Sequence, residues 1–272
     1  MKLHVETLED GDGPYCLLVH GFLSSRAQWR PNLEALKAVC RPVMVELWGH
    51  GRSPAPRDAD SYRVERYLAM FEDIRRSLGA RQWFVCGQSF GAGLTLRYAL
   101  QHPEAVLAQV FTNTMAALSL PEERARAVRT RVRADDIERT GLEAVRTLPF
   151  HPRFARRFPP DIHQDILADA DRIDPVAVAS ALRLTSPFLS VVASFGETRV
   201  PTLLVNGLRE TRFQPMRDRA KKLLPALETA DLDAGHSVNV EVAEKFNATV
   251  VDFLRRHQPA QSDFNVGPAT SG

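Results

Sequence analysis

The sequence is poor in the features that mark several special classes of protein. It has three cysteines in 272 residues, Cys16, Cys40 and Cys86. An odd number excludes a fully paired disulfide framework, and the spacing fits no zinc template. Cys16 and Cys86 lie in apolar runs, where reduced, buried thiols are expected. No apolar run is long enough to cross a bilayer. The first residues, MKLHVETLEDGDG, carry no apolar signal-peptide core, so the expectation is a cytoplasmic protein. Neither charge is in excess: 35 lysines and arginines stand against 33 aspartates and glutamates. A net charge of +2 gives no footing for nucleic acid or a membrane surface as partner. Internal repeats and low-complexity tracts are lacking too.

What is present is ordinary for a globular chain, with 44% hydrophobic and 25% charged residues, enough for one sizeable core. Lys2 to Leu8 alternates apolar and polar residues and reads as an edge strand, ended by the turn Glu9 to Pro14. Tyr15 to His20, Arg41 to Leu47, Trp83 to Cys86, Ala105 to Thr112 and Thr202 to Asn206 are apolar runs of the kind buried on both faces of a sheet. Leu227 to Leu232 is a weaker sixth. Helical periodicity lies between them, over Tyr62–Leu78 with Gly79 as its cap, and over Phe90–Gln101, Met216–Leu224 and Val240–Arg256. The expectation is an α/β fold: a mostly parallel sheet flanked by helices. From about Met115 to Thr198 there are helical patterns but no buried strand, which predicts a helical cap inserted into the sheet's sequence. The predicted division is a discontinuous core of residues 1–114 and 200–257, a cap of 115–199, and a disordered tail of 258–272 rich in small and polar residues.

Chemistry is most legible at Gly87-Gln88-Ser89-Phe90-Gly91, which joins a strand to a helix. A serine on so tight a turn aims its hydroxyl away from both elements, and the flanking glycines admit no side chain there. Ser89 is the candidate nucleophile. The Phe90 N–H, at the positive end of the following helix, lies where an oxyanion forms. Acyl transfer needs a second donor, and the loop His20-Gly21-Phe22 after a buried strand offers the Phe22 N–H. His20 itself is read as bonding within that loop. His236, in Ala234-Gly235-His236-Ser237 after the weak last strand, sits at the carboxyl edge of the sheet, where sites of such folds form. It is the candidate general base. Glu210, just past the strand Thr202 to Asn206, is the candidate acid, since the order serine, acid, histidine suits this fold. Asp231 and Asp233 are nearer His236 in sequence, but the acid must approach the imidazole from a separate loop.

These residues resemble the α/β-hydrolase superfamily from Lys2 to about His257. The resemblance is carried by His20-Gly21-Phe22, Gly49-His50-Gly51-Arg52-Ser53, Gly87-Gln88-Ser89-Phe90-Gly91, Gly207-x-x-Glu210 and Gly235-His236. It implies an eight-strand-type sheet with a shortened first hairpin and a cap after the sixth strand. Within the superfamily the chain is similar to the SHCHC synthase group, which eliminates pyruvate. That likeness rests on Phe213 to Leu224, on Ala234 to Glu241, on Glu244-Lys245-Phe246 and on Leu120 to Arg124. Gln88 and Gly93 stand where that group usually has tyrosine and arginine, and Glu210 where its acid is usually aspartate. Epoxide hydrolases and haloalkane dehalogenases use an aspartate nucleophile, and position 89 is serine.

The resulting expectation is hydrolysis of a small carboxylic ester or thioester through an acyl-enzyme on Ser89, with no metal or organic cofactor. Carbon–carbon cleavage by the same residues is the alternative, and a slowly turning-over ligand receptor a further one. Trp48, His20 and Gln88 are expected at the substrate pocket, with Phe22 and Phe90; Trp29 fits a pocket or the core. From Pro121 to Phe158 ten arginines face six acidic residues, which reads either as a solvated face or as attraction for an anionic acyl substrate.

Overall fold

The structure, a computed structural model, describes residues 1–124 and 128–259. Seven strands form one sheet: β1 (His4–Thr7), β2 (Tyr15–Val19), β3 (Arg41–Glu46), β4 (Trp83–Gly87), β5 (Val106–Thr112), β6 (Thr202–Gly207) and β7 (Glu228–Leu232). Their order is β1-β3-β2-β4-β5-β6-β7. Only β1 runs antiparallel, with His4 opposite Glu46; every other pairing is parallel. Of the first hairpin expected, β1 alone remains, which makes seven strands rather than eight.

The longer helices are α1 (Arg30–Lys37), α2 (Val64–Ser77), α3 (Phe90–Gln101), α4 (Val128–Thr140), α5 (Pro160–Ala170), α6 (Pro175–Leu184), α7 (Gln214–Leu223) and α8 (Ala243–Arg256). Side chains alternate along each strand, so both faces of the sheet are covered. Leu17, Val19, Val45 and Val85 pack with Tyr67, Leu68 and Phe71 of α2 and Tyr98 of α3. Cys16, Leu18, Met44 and Cys86 share the other face with Leu36 of α1 and Phe246, Val250 and Phe253 of α8. All three thiols are free and buried. Helix α2 ends as its glycine requires. Gly79 takes φ +65°, its N–H reaches Arg76 O at 3.0 Å, and the Ala80 N–H reaches Arg75 O at 3.2 Å.

Between β5 and β6 the described residues hold helices and no strand. Ala134 and Ile137 of α4 pack with Val178 and Leu182 of α6 in a core of their own. Ile162 and Ile166 of α5 seat this insertion on Ala27 and Val240. The expected tail lies outside the described residues from position 260 onward, while Gln258 donates from Nε2 to Val39 O at 2.6 Å. Among the described residues no helix is long and apolar enough to cross a membrane.

Candidate active site

Ser89 links β4 to α3 with φ +53° and ψ −109°. A non-glycine residue so placed is strained, and the strain persists because its surroundings dictate it. A Cβ on Gly87 would lie 2.5 Å from Ala92 Cα, and one on Gly91 would lie 2.3 Å from Val19 O. The turn therefore closes only with glycine on both sides of it, and the serine takes the exposed apex.

Three side chains from three loops meet there. His236, after β7, has its Nε2 2.8 Å from Ser89 Oγ. Its Nδ1 lies 2.9 Å from Glu210 Oε2, after β6. Burial works against the Glu210 carboxylate, but the bonds from His236 and Asn113 outweigh it and hold the carboxyl below its ordinary value. An ionised carboxylate only accepts, so Nδ1 carries the hydrogen and Nε2 is left to accept the Ser89 hydroxyl. Asn113, at the end of β5, donates from Nδ2 to Glu210 Oε2 at 2.7 Å and accepts the Gly207 N–H at 2.9 Å. It aims the carboxylate and ties its loop to the neighbouring strand. The two nearer aspartates are engaged elsewhere: Asp231 with Arg217 and Asn206, Asp233 with Arg209.

The histidine loop is held by backbone as well. Glu241 accepts the N–H groups of Gly235 (2.8 Å) and Ser237 (3.3 Å), one on each side of His236. Arg157 of the insertion lies 3.6 Å from the same carboxylate. Gln88 donates from Nε2 to His236 O at 3.2 Å.

Two backbone donors stand free at this place. Phe90 heads α3, so its N–H has no partner inside the helix. Phe22 follows Gly21, whose Cβ position is 3.5 Å from Ser89 Cβ, and the Phe22 and Phe90 rings stack at 5.0 Å. Among the described residues neither N–H has an acceptor. A cavity of about 680 Å³ opens over them, lined by Ser89, His236, Phe22, Phe90, Gln88 and Met115 and, from the insertion, by Phe150, Phe154, Arg133, Arg156 and Arg157. Phe150 and Phe154 are 41% and 51% exposed. Arg133 and Arg156 have no ion-pair partner among the described residues.

Two residues expected at the pocket are not there. His20 is fully buried; Nδ1 donates to Gly21 O (2.7 Å) and Nε2 accepts the Leu47 N–H (3.1 Å). Burial, with His50 beside it, lowers its pKa to about 3, so it is neutral and structural. Trp48 is turned into the core with Tyr62 and Tyr67 and donates from Nε1 to Ser61 O at 3.1 Å. Both follow strand ends, but their side chains are buried and do not line the cavity. Trp29 is likewise core. No motif picks out Asn113 or Gln28; Asn239 and Glu241, in a stretch shared with a known group, carry a signal.

Comparison with known proteins agrees with this fold. Residues 16–242 match the family model described as "alpha/beta hydrolase fold". The chain belongs to this family. As an enzyme of the alpha/beta hydrolase superfamily it has relatives of more than one activity. It is 30% identical, over 87% of its length and 88% of the relative's, to a putative 2-succinyl-6-hydroxy-2,4-cyclohexadiene-1-carboxylate (SHCHC) synthase of Bacillus subtilis. It is 24% identical to the carboxylesterase YbfK of the same organism, covering 93% of this chain and 84% of that one. The solved structure of MenH from S. aureus superposes with a TM-score of 0.83 at 20% identity, covering 94% and 99% of the two chains, a likeness of fold.

Proposed function

We propose that this alpha/beta hydrolase cleaves a small carboxylic ester or thioester through an acyl-enzyme on Ser89. The observation that carries the reading is the unbroken chain Ser89 Oγ–His236–Glu210, with hydrogen-bond distances of 2.8 and 2.9 Å, beside two N–H groups that have no acceptor among the described residues. In this reading His236 Nε2 takes the serine proton as Oγ attacks the acyl carbon. The Phe22 and Phe90 N–H groups receive the oxyanion. The imidazolium, balanced by Glu210, returns its proton to the departing alcohol or thiol. Water then attacks the acyl carbon as His236 takes its proton; the acyl–Oγ bond breaks, His236 returns the proton to Ser89 Oγ, and the acid leaves.

Arg133 and Arg156, which line the cavity and have no ion-pair partner among the described residues, favour an acyl substrate that carries a negative charge of its own. Phe150, Phe154 and Met115 favour an apolar body beside that charge. One panel tests both parts: anionic and neutral p-nitrophenyl esters and acyl thioesters, at low and high salt, with wild type and Ser89→Ala. The variant is expected to lose at least 1,000-fold in kcat/KM, a part of the roughly 10⁶-fold that loss of such a nucleophile costs. KM for anionic substrates is expected to rise with salt, and KM for neutral ones to stay level. Wild-type rates from Ser89→Ala overturn the reading. One acylation without turnover marks a receptor rather than a hydrolase.

A second reading, SHCHC synthase-like elimination, is favoured by the relative at 30% identity. Gln88 and Gly93 weigh against it, because at position 93 even a Cβ would lie 3.1 Å from the Leu189 side chain. Release of pyruvate from that enzyme's substrate decides between them.

A further inference from the structure

A network of buried amides lies behind the Phe22 loop. Gln28, in the turn Arg26–Trp29, is 2% exposed. Its Oε1 accepts the Gly21 N–H at 3.0 Å, and its Nε2 donates to Asn239 Oδ1 at 3.2 Å. Asn239 lies three residues past His236; its Nδ2 donates to Gln28 O and Asn32 Oδ1, each at 3.1 Å. Asn32 Nδ2 donates back to Asn239 O at 2.8 Å. From the opposite side Gln88, itself bonded to His236 O, places its Oε1 1.9 Å from where a Gly21 Cβ would be. Gly21 is thus held between two glutamines, each tied to the segment that carries His236.

The remaining loop groups are fixed as well. Gly21 O accepts from His20 Nδ1 (2.7 Å) and from Ser24 N (3.3 Å), and the Leu23 N–H goes to His50 Nε2 (3.3 Å). A peptide is planar, so fixing Gly21 O fixes the opposed Phe22 N–H. That N–H has no acceptor among the described residues. Amides suit this task. They orient the loop with neutral dipoles and put no negative charge near a forming oxyanion.

We infer that Gln28 and Gln88 are positioning residues, which with Asn239 hold the Phe22 N–H ready for the oxyanion and lock that donor to the loop of His236. The inference rests on the hydrolase reading. It predicts a split between binding of the transition state and binding of the substrate. The probe for the first is a trifluoromethyl ketone: Ser89 Oγ bonds to the carbonyl carbon, the carbonyl π pair moves to oxygen, and the serine proton passes to His236. KM for a neutral p-nitrophenyl ester reads the second. Gln28→Leu is expected to raise Ki for the ketone at least tenfold and to lower kcat similarly, with KM within about two-fold, a part of the 10²–10³ that loss of an oxyanion donor costs.

Gln28→Glu keeps the shape. Burial favours its neutral form, whose C=O faces Gly21 and whose O–H faces Asn239. It is expected to stay within about three-fold of wild type in Ki while protonated, and to diverge as pH rises and the O–H is lost. That pH-dependent ratio also serves if Gln28→Leu fails to fold. A wild type that neither binds the ketone nor hydrolyses any ester overturns the hydrolase reading and this inference with it. A wild type that does both, with Ki and KM unchanged or rising in parallel in Gln28→Leu, or a flat ratio in Gln28→Glu, overturns the inference alone.

Discussion

Glu210 acts through one oxygen atom, and that atom is shared. Oε2 accepts from both His236 Nδ1 and Asn113 Nδ2. Asn113 is fixed as a donor, because its own oxygen is taken by the Gly207 N–H. In Glu210→Gln an amide oxygen at the place of Oε2 can still accept from both donors, so the tautomer is kept, but the negative charge that balances the imidazolium is gone. The expected loss in kcat is about 10²–10⁴-fold, the range that general-base help is worth, with little change in thermal stability. Steady-state rates with Tm as a control check it; a loss under tenfold contradicts the assignment of Glu210 as the acid.

At the scale of elements, the site is the place where β2, β4 and α3 converge. Gly91 is the contact point: a Cβ there would lie 2.3 Å from Val19 O and 2.5 Å from His20 O, both backbone atoms at the end of β2. Neither can rotate away, so Gly91→Ala must push α3 off the sheet. Overpacking of this kind costs about 1–3 kcal/mol, or roughly 2–5 °C in Tm for a chain of this size. The rate is expected to fall too, because the Phe90 N–H moves with the helix. Calorimetry and esterase rates on one sample check both, and an unchanged Tm contradicts the packing argument. This convergence also explains what the sequence made legible. Strand-to-helix turns announce themselves through glycine, so Ser89 stood out, and His236 and Glu210 could be placed from strand ends. The direction of a side chain leaving a strand end leaves no such mark, so the expected pocket places of His20 and Trp48 fail, while His20 bonds within its loop as the sequence implies. Gln28 and Asn113 work through partners 211 and 97 residues away, a pairing no local pattern encodes.

At the scale of the whole molecule, the price of so well fixed a loop is paid in acid. His20 and His50 are both buried, with ring centroids 5.3 Å apart, and each ring bonds to backbone on both of its nitrogens. Burial lowers their pKa values to about 3 and about 4. In the unfolded chain a histidine titrates near 6.5, so from about pH 6.5 down to those values the unfolded state binds protons that the folded state refuses. Stability is therefore full above about pH 6.5 and declines as pH falls, with a slope approaching 1.4 kcal/mol per pH unit for each histidine. Most carboxylates titrate below pH 5, so the interval from 6.5 to 5 isolates the imidazoles. In His20→Gln the amide can still donate to Gly21 O and accept from Leu47, but it does not titrate. Urea midpoints at pH 7, 6 and 5 are expected to fall for both proteins, and to fall less for the variant by close to one proton's worth of slope. Equal slopes would mean that the neutral His20 ring carries no share of the acid sensitivity of the fold.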